Sequence, residues 1–358
     1  MIVNDALRDA LAGRRVFLTG HTGFKGSWLT GWLHALGCEV TGYALRPEGR
    51  TSLFALAGVE RQLAGHHEGD IRDQAALAAA MADARPDLVI HMAAQSLVRR
   101  GYDRPVETWA TNVMGTVNLF EAVRACPTVR AVLVVTTDKC YQNHEWHWGY
   151  RERDPLGGRD PYSASKAGTE LVVQSYRDSF FSSGGPLVAS ARAGNVIGGG
   201  DWSEDRLVAD AARAVEAGRP MTVRNPGATR PWQHVLDCLG GYLSLAARLL
   251  RGDREAAASF NFGPGPSDNL SVGELLARLE RHWPELRWEV DAGTGESPHE
   301  ATFLYLDSSL ARRTLGWQPR WGIDDALRST ADWYRSVLKD PSAAAAVTWR
   351  QLEEYMTP

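Results

Sequence analysis

The sequence predicts an α/β chain: a doubly wound parallel sheet with helices on both faces, followed by a smaller α/β lobe. Three observations carry that expectation. Short apolar runs such as Ala131-Val-Leu-Val-Val135 have the look of strands buried on both faces. Each run is followed by a segment with helical spacing, the alternation that a parallel sheet requires. A glycine-spaced turn, Gly20-x-x-Gly23-x-x-Gly26, separates the first strand from the first helix, where such a sheet receives phosphate groups.

Taken in order, residues 15–20 form a short buried strand ending in glycine. The helical pattern Trp28-Leu29, Trp32-Leu33, Leu36 follows and stops at Gly37; residues 39–45 are the second strand. Residues 65–71 give a short strand, 74–84 an alanine-rich helix, and 87–91 a buried strand running into Met92-Ala-Ala-Gln-Ser96. A long helix over 105–124 carries Asn112. The strand at 131–135, a helix over 162–181 and a strand at 187–193 complete the alternation. Beyond Arg192 the texture changes to a glycine-rich loop, then a helix over 207–216 and a short strand at 221–224. Residues 233–237 and a helix over 238–250 are apolar enough to return to the first domain. Residues 259–262 are strand-like, and Ser271 with Glu274 makes a capping box that opens a helix ending near His282, before Pro284. Helices over 308–315 and 323–338 precede an alanine-rich tail. The expected organisation is a Rossmann-type dinucleotide-binding domain at 1–192, with 231–256 returning to it, a substrate lobe from 193–230 and 257–340, and a helical tail at 341–358.

A formal net charge of −4 over 358 residues provides no electrostatic footprint for nucleic acid or an anionic membrane. Cys38, Cys126, Cys140 and Cys238 are scattered without metal or redox spacing, which suits a reduced cytoplasm. No signal-peptide layout opens the sequence and no apolar run reaches membrane-spanning length. His66-His67 and His144-Glu-Trp-His147 lack zinc spacing, so no metal is expected. The thirteen tryptophans are spread along the chain, as packing residues are.

The chemistry gathers between Thr136 and Lys166. Tyr162 and Lys166 stand four apart, which on a helix stacks both on one face. A phenol of ordinary pKa about 10 is a poor base, and bringing it to about 7 takes roughly 4 kcal/mol, which a nearby ammonium can supply. Such spacing also arises by chance on surface helices. Against chance stand Pro161 at the helix start, the glycine-turn sheet upstream and the Thr137-Asp138-Lys139 cluster ending a strand, where doubly wound sheets bind ligands. Asp138 and Lys139 read either as a surface ion pair or as a site acid and base; the base role requires the lysine to lose much of its ordinary pKa of about 10.4. Arg206, Arg224 and Arg230 offer guanidinium donors for an anionic nucleotide. After the second strand stands Arg46 and no acid, so residue chemistry leaves NAD and NADP both open.

The glycine turn, Tyr162-x-x-x-Lys166, Asn112 and the late substrate lobe resemble the extended short-chain dehydrogenase/reductases. Within them the chain is similar to the CDP-glucose branch of the nucleotide-sugar 4,6-dehydratases. The matching stretches are Gly20-His-Thr-Gly-Phe-Lys-Gly-Ser-Trp28, Thr137-Asp-Lys-Cys-Tyr141, Gly149-Tyr-Arg-Glu152, Asp154-Pro-Leu-Gly-Gly158, Asp160-Pro-Tyr-Ser-Ala-Ser-Lys166, Gly194-Asn-Val-Ile-Gly-Gly-Gly-Asp-Trp202 and Arg230-Pro-Trp-Gln-His-Val235. The resemblance implies a tightly held NAD that is regenerated each turnover, and a homo-oligomer making a deoxysugar precursor for polysaccharide biosynthesis. Tyr162, aided by Lys166, would take the C4 hydroxyl proton of the sugar while Thr137 holds that hydroxyl. Asp138 would protonate the departing C6 hydroxyl. Many relatives carry Asp-Glu here with glutamate as the C5 base; this chain has Asp138-Lys139, so Lys139 is the expected base. The implied cofactor set is Gly20, Thr22, Gly23, Phe24, Lys25, Gly26, Asp70, Ile71, Ala93, Ala94 and Asn112 with Tyr162 and Lys166. Asp70 and Ile71 would meet the adenine. The implied substrate set is Ser96, Thr137, Asn195, Arg206 and Arg230.

Two other functions compete. A 4-epimerase on the same scaffold removes and returns hydride at C4 and has no use for a C5 base or C6 acid, so Asp138-Lys139 discriminates. A binding-only dinucleotide sensor has no use for an activated phenol.

Overall fold

The computed structural model of the chain describes residues 3–47, 51–265, 268–291 and 303–357. Its centre is a seven-stranded sheet of β1 (Arg15–Thr19), β2 (Glu39–Ala44), β3 (Gly65–Glu68), β4 (Leu88–His91), β5 (Ala131–Val135), β6 (Leu187–Ala193) and β7 (Ser259–Phe262). The order is β7-β6-β5-β4-β1-β2-β3 and every neighbouring pair is parallel. With helices covering both faces, central strands need no polar side, and β5 is buried at all five residues. The order reverses between β1 and β4, so their carboxyl ends open a crevice at that switch point.

The helices begin and end as local chemistry dictates. Asp73 caps Gln74–Ala84 by accepting from the Ala76 amide, and Asp160 caps Pro161–Phe180 by accepting from the Ser163 amide, with Pro161 in the first turn. Ser271 and Glu274 form the expected capping box ahead of Val272–His282. The long helix expected at 105–124 is interrupted: α-helical Pro105–Trp109 and Gly115–Ala125 flank a π-helical segment, Ala110–Met114. A nine-residue helix at Val3–Leu11, too short and polar to stand out by periodicity, docks Leu7, Ala10 and Leu11 into the core.

Beyond the lobe's first strands the chain runs back along the main sheet. Helix Val235–Leu250 starts three residues early, directly after a two-residue strand at Gln233–His234, and packs on β5 and β6. Residues 259–262, assigned above to the lobe, form β7 and pair with β6 in the main sheet. The boundary expected at 256–257 therefore falls short: a four-residue strand takes its place from a partner distant in sequence. The remaining lobe pairs Met221–Val223 with Trp288–Val290 and Thr229–Pro231 with Asn269–Ser271. It shares one continuous apolar core with the sheet rather than owning a separate one. The tail is helical, Ala344–Met356, and integral: Trp349 lies so close to Gly31 that a Cβ there would come within 2.1 Å of the indole ring.

Candidate active site

Because all seven strands are parallel, the loops leaving their carboxyl ends share one edge of the sheet. The turn after β1, Met92–Ser96 after β4, Thr136–Lys139 after β5 and Gly194–Val196 after β6 all line a cavity of about 390 Å³. Every implied cofactor residue lines it except Asn112.

The glycine turn divides its labour. Gly20 has φ +78°, and a Cβ there would stand 2.7 Å from the Ala93 nitrogen; a Cβ on Gly26 would stand 2.1 Å from the Gly20 carbonyl oxygen. Those two glycines are required by the protein itself. Gly23 has ordinary extended angles, φ −78° and ψ 171°, and a Cβ there would meet only the Gly20 oxygen at 3.4 Å. It leaves helix Phe24–Ala35 without a side-chain cap, so the first-turn amides point into an unobstructed cradle. A pyrophosphate fits that cradle. Thr19 braces the opposite wall: its hydroxyl accepts from the Met92 and Ala93 amides and contacts His91 Nδ1 at 2.7 Å. Burial and the Lys166 charge push the His91 imidazole down to about 3, so it braces the wall as a neutral ring.

Asn112 stands apart from the rest of the expected cofactor set. It is buried in the π-helical segment, accepts from the Gln95 amide at 2.8 Å and donates to the Gln95 carbonyl and Ser165 hydroxyl. It ties the β4 loop to the helix of Tyr162 and does not face the cavity. Lys25 lines the cavity, but its ammonium lies 3.9 Å from the Cys238 sulfur and 5.9 Å over the Tyr242 ring. Asp70 stays at the cavity, its carboxylate gripped by Arg72, with Ile71 beside it. Arg46 pairs with Glu68 at 2.9 Å in solvent.

Tyr162 and Lys166 are both buried on the inner face of helix Pro161–Phe180, with Thr137, Asp138 and Lys139 opposite. At the phenol, burial outweighs the nearby positive charges. Burial drives Tyr162 up to about 12, opposed chiefly by the Arg206 charge and then by the Thr137 hydroxyl. Lys166 donates to the Val135 carbonyl at 3.3 Å; burial first, and then the charge of Lys25, lower its ammonium to about 8.

Asp138 and Lys139 occupy the short 3₁₀ turn Asp138–Cys140, capped by Thr137, whose hydroxyl donates to Asp138 Oδ1 and accepts from the Lys139 amide. Asp138 is 1% exposed, and among the described residues its Oδ2 has no hydrogen-bond partner. Burial raises the Asp138 carboxyl despite Lys139 and Thr137, while burial, helped by Arg206 and Arg230, lowers the Lys139 ammonium despite Asp138. Both groups are pushed in the direction of their neutral forms, and both are buried in the cleft rather than paired on the surface.

A second cavity, about 990 Å³, meets the first at Ser96, Lys139, Asn195 and Arg206. Arg230 and Arg224 line it together with Leu207, Val223 and Trp232. Arg206 donates to the Ser96 carbonyl at 3.3 Å, which sets its guanidinium at the junction. All five implied substrate residues therefore lie in one or both cavities.

Sequence reasoning missed a buried network under this site. Glu170 and Arg192 pair at 2.7 Å with side chains 1% and 4% exposed. The available signal was the four-residue spacing of Tyr162, Lys166 and Glu170 along one helix face.

Comparison with known proteins places this architecture. A CDP-glucose 4,6-dehydratase of Salmonella typhimurium is 45% identical over 352 residues, covering 96% of this chain and 97% of that protein. A dTDP-glucose 4,6-dehydratase of Streptomyces venezuelae, solved with NAD and TYD bound, superposes with a TM-score of 0.75 at 27% identity, covering 90% of this chain and 97% of that one. A UDP-glucose 4-epimerase of Thermus thermophilus in complex with NAD gives 0.76 at 26% identity, covering 90% and 99%. The sequence model of the GDP-mannose 4,6 dehydratases matches residues 17–330, and the chain belongs to that family.

Proposed function

We propose that this chain is a nucleotide-sugar 4,6-dehydratase that converts CDP-glucose to CDP-4-dehydro-6-deoxyglucose using bound NAD. The carrying observation is the buried Asp138–Lys139 pair, driven toward neutral acid and neutral base at the junction of the two cavities. Removing and returning hydrogen at C4, the epimerase chemistry, needs neither group. The choice of CDP rests on the 45% identical relative.

The cradle at Gly23 suits a dinucleotide, and the Arg46–Glu68 pair occupies the guanidinium that a 2′-phosphate would need, which favours NAD. When bound, the nicotinamide supplies a reversible hydride acceptor for C4 and donor for C6. Tyr162, its phenolate favoured by the Arg206 charge and by a nicotinamide cation when that is bound, takes the proton of the C4 hydroxyl, which Thr137 positions through its own hydroxyl. Once C4 is a ketone, the hydrogen on C5 is acidic and Lys139, as free amine, removes it. Asp138 delivers its proton to the C6 hydroxyl, which departs as water. Arg206 and Arg230 hold the diphosphate by charge-assisted hydrogen bonds.

Val106 and Trp109 on helix Pro105–Trp109, Met114 in the π-helical segment, and Leu171 and Phe180 on helix Pro161–Phe180 are exposed apolar side chains, Val106 at 82%. Such a face favours a homodimer through these helices. The four cysteines are free and buried, in keeping with a cytoplasmic setting, and no helix among the described residues is long and apolar enough to cross a membrane. Parallel incubation with the CDP, dTDP, UDP and GDP esters of glucose tests the substrate. The expected result is a 4-keto product from the CDP ester at the highest kcat/KM; preference for another ester overturns the base assignment, and no keto product from any overturns the reaction.

A further inference from the structure

The network around Glu170 brings four donors to one buried carboxylate. Its Oε1 accepts from the Thr136 hydroxyl at 2.5 Å; its Oε2 accepts from the Ser190 hydroxyl and Arg192 Nη2 at 2.7 Å each, and from the Ser259 hydroxyl at 3.3 Å. One side chain on the catalytic helix is thereby tied to the end of β5, to β6 and to β7. Arg192 extends the tie: Nη1 donates to the Tyr141 hydroxyl at 2.8 Å and to the Glu152 carbonyl at 3.0 Å. Tyr141 in turn donates to Asn261 Oδ1 at 2.7 Å.

Two features make this more than a stability device. A buried ion pair is a poor source of stability, because desolvating both charges cancels most of their attraction, and apolar residues of the same shape serve as well or better. The contacts are also placed where geometry matters for the reaction. Thr136 precedes and Tyr141 follows the 3₁₀ turn of Asp138 and Lys139, so the one ion pair clamps both flanks of that turn. Glu170 itself stands one turn beyond Lys166 and two beyond Tyr162.

From this we infer that Glu170, through Arg192, is a positioning residue that holds the Tyr162–Lys166 face in register with the Asp138–Lys139 turn. Hydride removal at C4 and loss of water across C5 and C6 then act on a single sugar pose. The inference rests on the dehydratase reading, since only a reaction using both proton-transfer pairs needs them registered. Misplacing a reacting group by about 1 Å costs on the order of 100-fold in rate.

The test uses the holoenzyme with CDP-glucose and the variants Glu170→Gln and Glu170→Gln/Arg192→Met. The double variant removes the cation left unpaired by the single change and keeps the test alive if Glu170→Gln fails to fold. The expected result, per cofactor-loaded protein, is a kcat lower by roughly 100-fold with KM within about threefold. Reduced nicotinamide should build up while C5 exchange with solvent falls. The double variant should regain thermal stability without regaining kcat. If either variant turns over at the parental rate, or the double variant recovers kcat along with stability, the network is structural and the inference fails. Should the unaltered enzyme not turn over CDP-glucose at all, the dehydratase reading fails instead. Amide hydrogen exchange over residues 136–141 then decides the positioning claim, since protection unchanged by Glu170→Gln would overturn it.

Discussion

Replacing Lys139 by methionine separates the two halves of the proposed reaction. The substitution keeps the length and volume of the side chain where the two cavities meet, so cofactor and nucleotide should still bind. It removes an ammonium that burial and the flanking Arg206 and Arg230 already disfavour, so stability should hold or rise. It also removes the positive charge nearest Asp138, which pushes that carboxyl further toward its protonated form. The acid survives and the base is gone. Losing a positioned general base costs about 10²- to 10⁴-fold, or roughly 3–5 kcal/mol of barrier. Because Tyr162, Thr137 and Lys166 are untouched, oxidation at C4 should proceed and then stall. A stopped reaction should show reduced nicotinamide accumulating and no solvent deuterium entering C5. In the parent, the lowered pKa of Lys139 means the competent free amine grows as pH rises through that value, so kcat should climb on the acid side. Normal C5 exchange in Lys139→Met, with product formed within tenfold of the parental rate, would refute the base assignment.

The turn makes a paired prediction. Gly26→Ala drives a Cβ against the Gly20 carbonyl and should cost about 1–3 kcal/mol in thermal unfolding together with cofactor retention, whereas Gly23→Ala should leave unfolding nearly unchanged and still lose cofactor on gel filtration; retention by Gly23→Ala would show that no phosphate sits there. Lys166→Met should abolish turnover yet stabilise the cofactor-free protein by about 3 kcal/mol at pH 7. The sign follows from a folded pKa of about 8 against 10.5: the parent is penalised below 8 and regains stability as pH rises toward 10.5, so the difference in unfolding free energy should shrink across that window. Val106→Glu with Leu171→Lys places charge on the exposed apolar face and should convert a dimer to monomer by light scattering, and a parent that is itself monomeric would dismiss that interface.

Much of this fold is written locally. The runs at 131–135, 187–193 and 259–262 and the helices over 74–84 and 207–216 begin and end where pattern and capping residues place them. What was not legible depends on distant partners. The strand at 259–262 was recognised as a strand but not as the edge of the main sheet, because its partner Leu187–Ala193 lies about seventy residues away. The reach of Thr137, Asp138, Lys139, Tyr162 and Lys166 into one cleft was readable because strand ends in a parallel sheet converge on one edge. The contacts of Asn112 were hidden for a different reason: the π-helical turn aims its amide at Gln95 and Ser165, and no residue spacing announces that turn. The Glu170–Arg192 pair joins a helix to a strand across 22 positions, and only packing brings the charges together.

Dehydration and epimerisation differ in where each hydrogen goes. CDP-glucose carrying deuterium at C4 should be incubated in ordinary water with the NAD-loaded protein, and the same substrate without label in heavy water, with each product read by NMR and mass spectrometry. The account predicts loss of one water molecule, the C4 deuterium recovered at C6 in the first arm, and solvent deuterium at C5 in the second. A product of unchanged mass, with its label back at C4 and none taken up at C5, would identify an epimerase and contradict the roles given to Asp138 and Lys139.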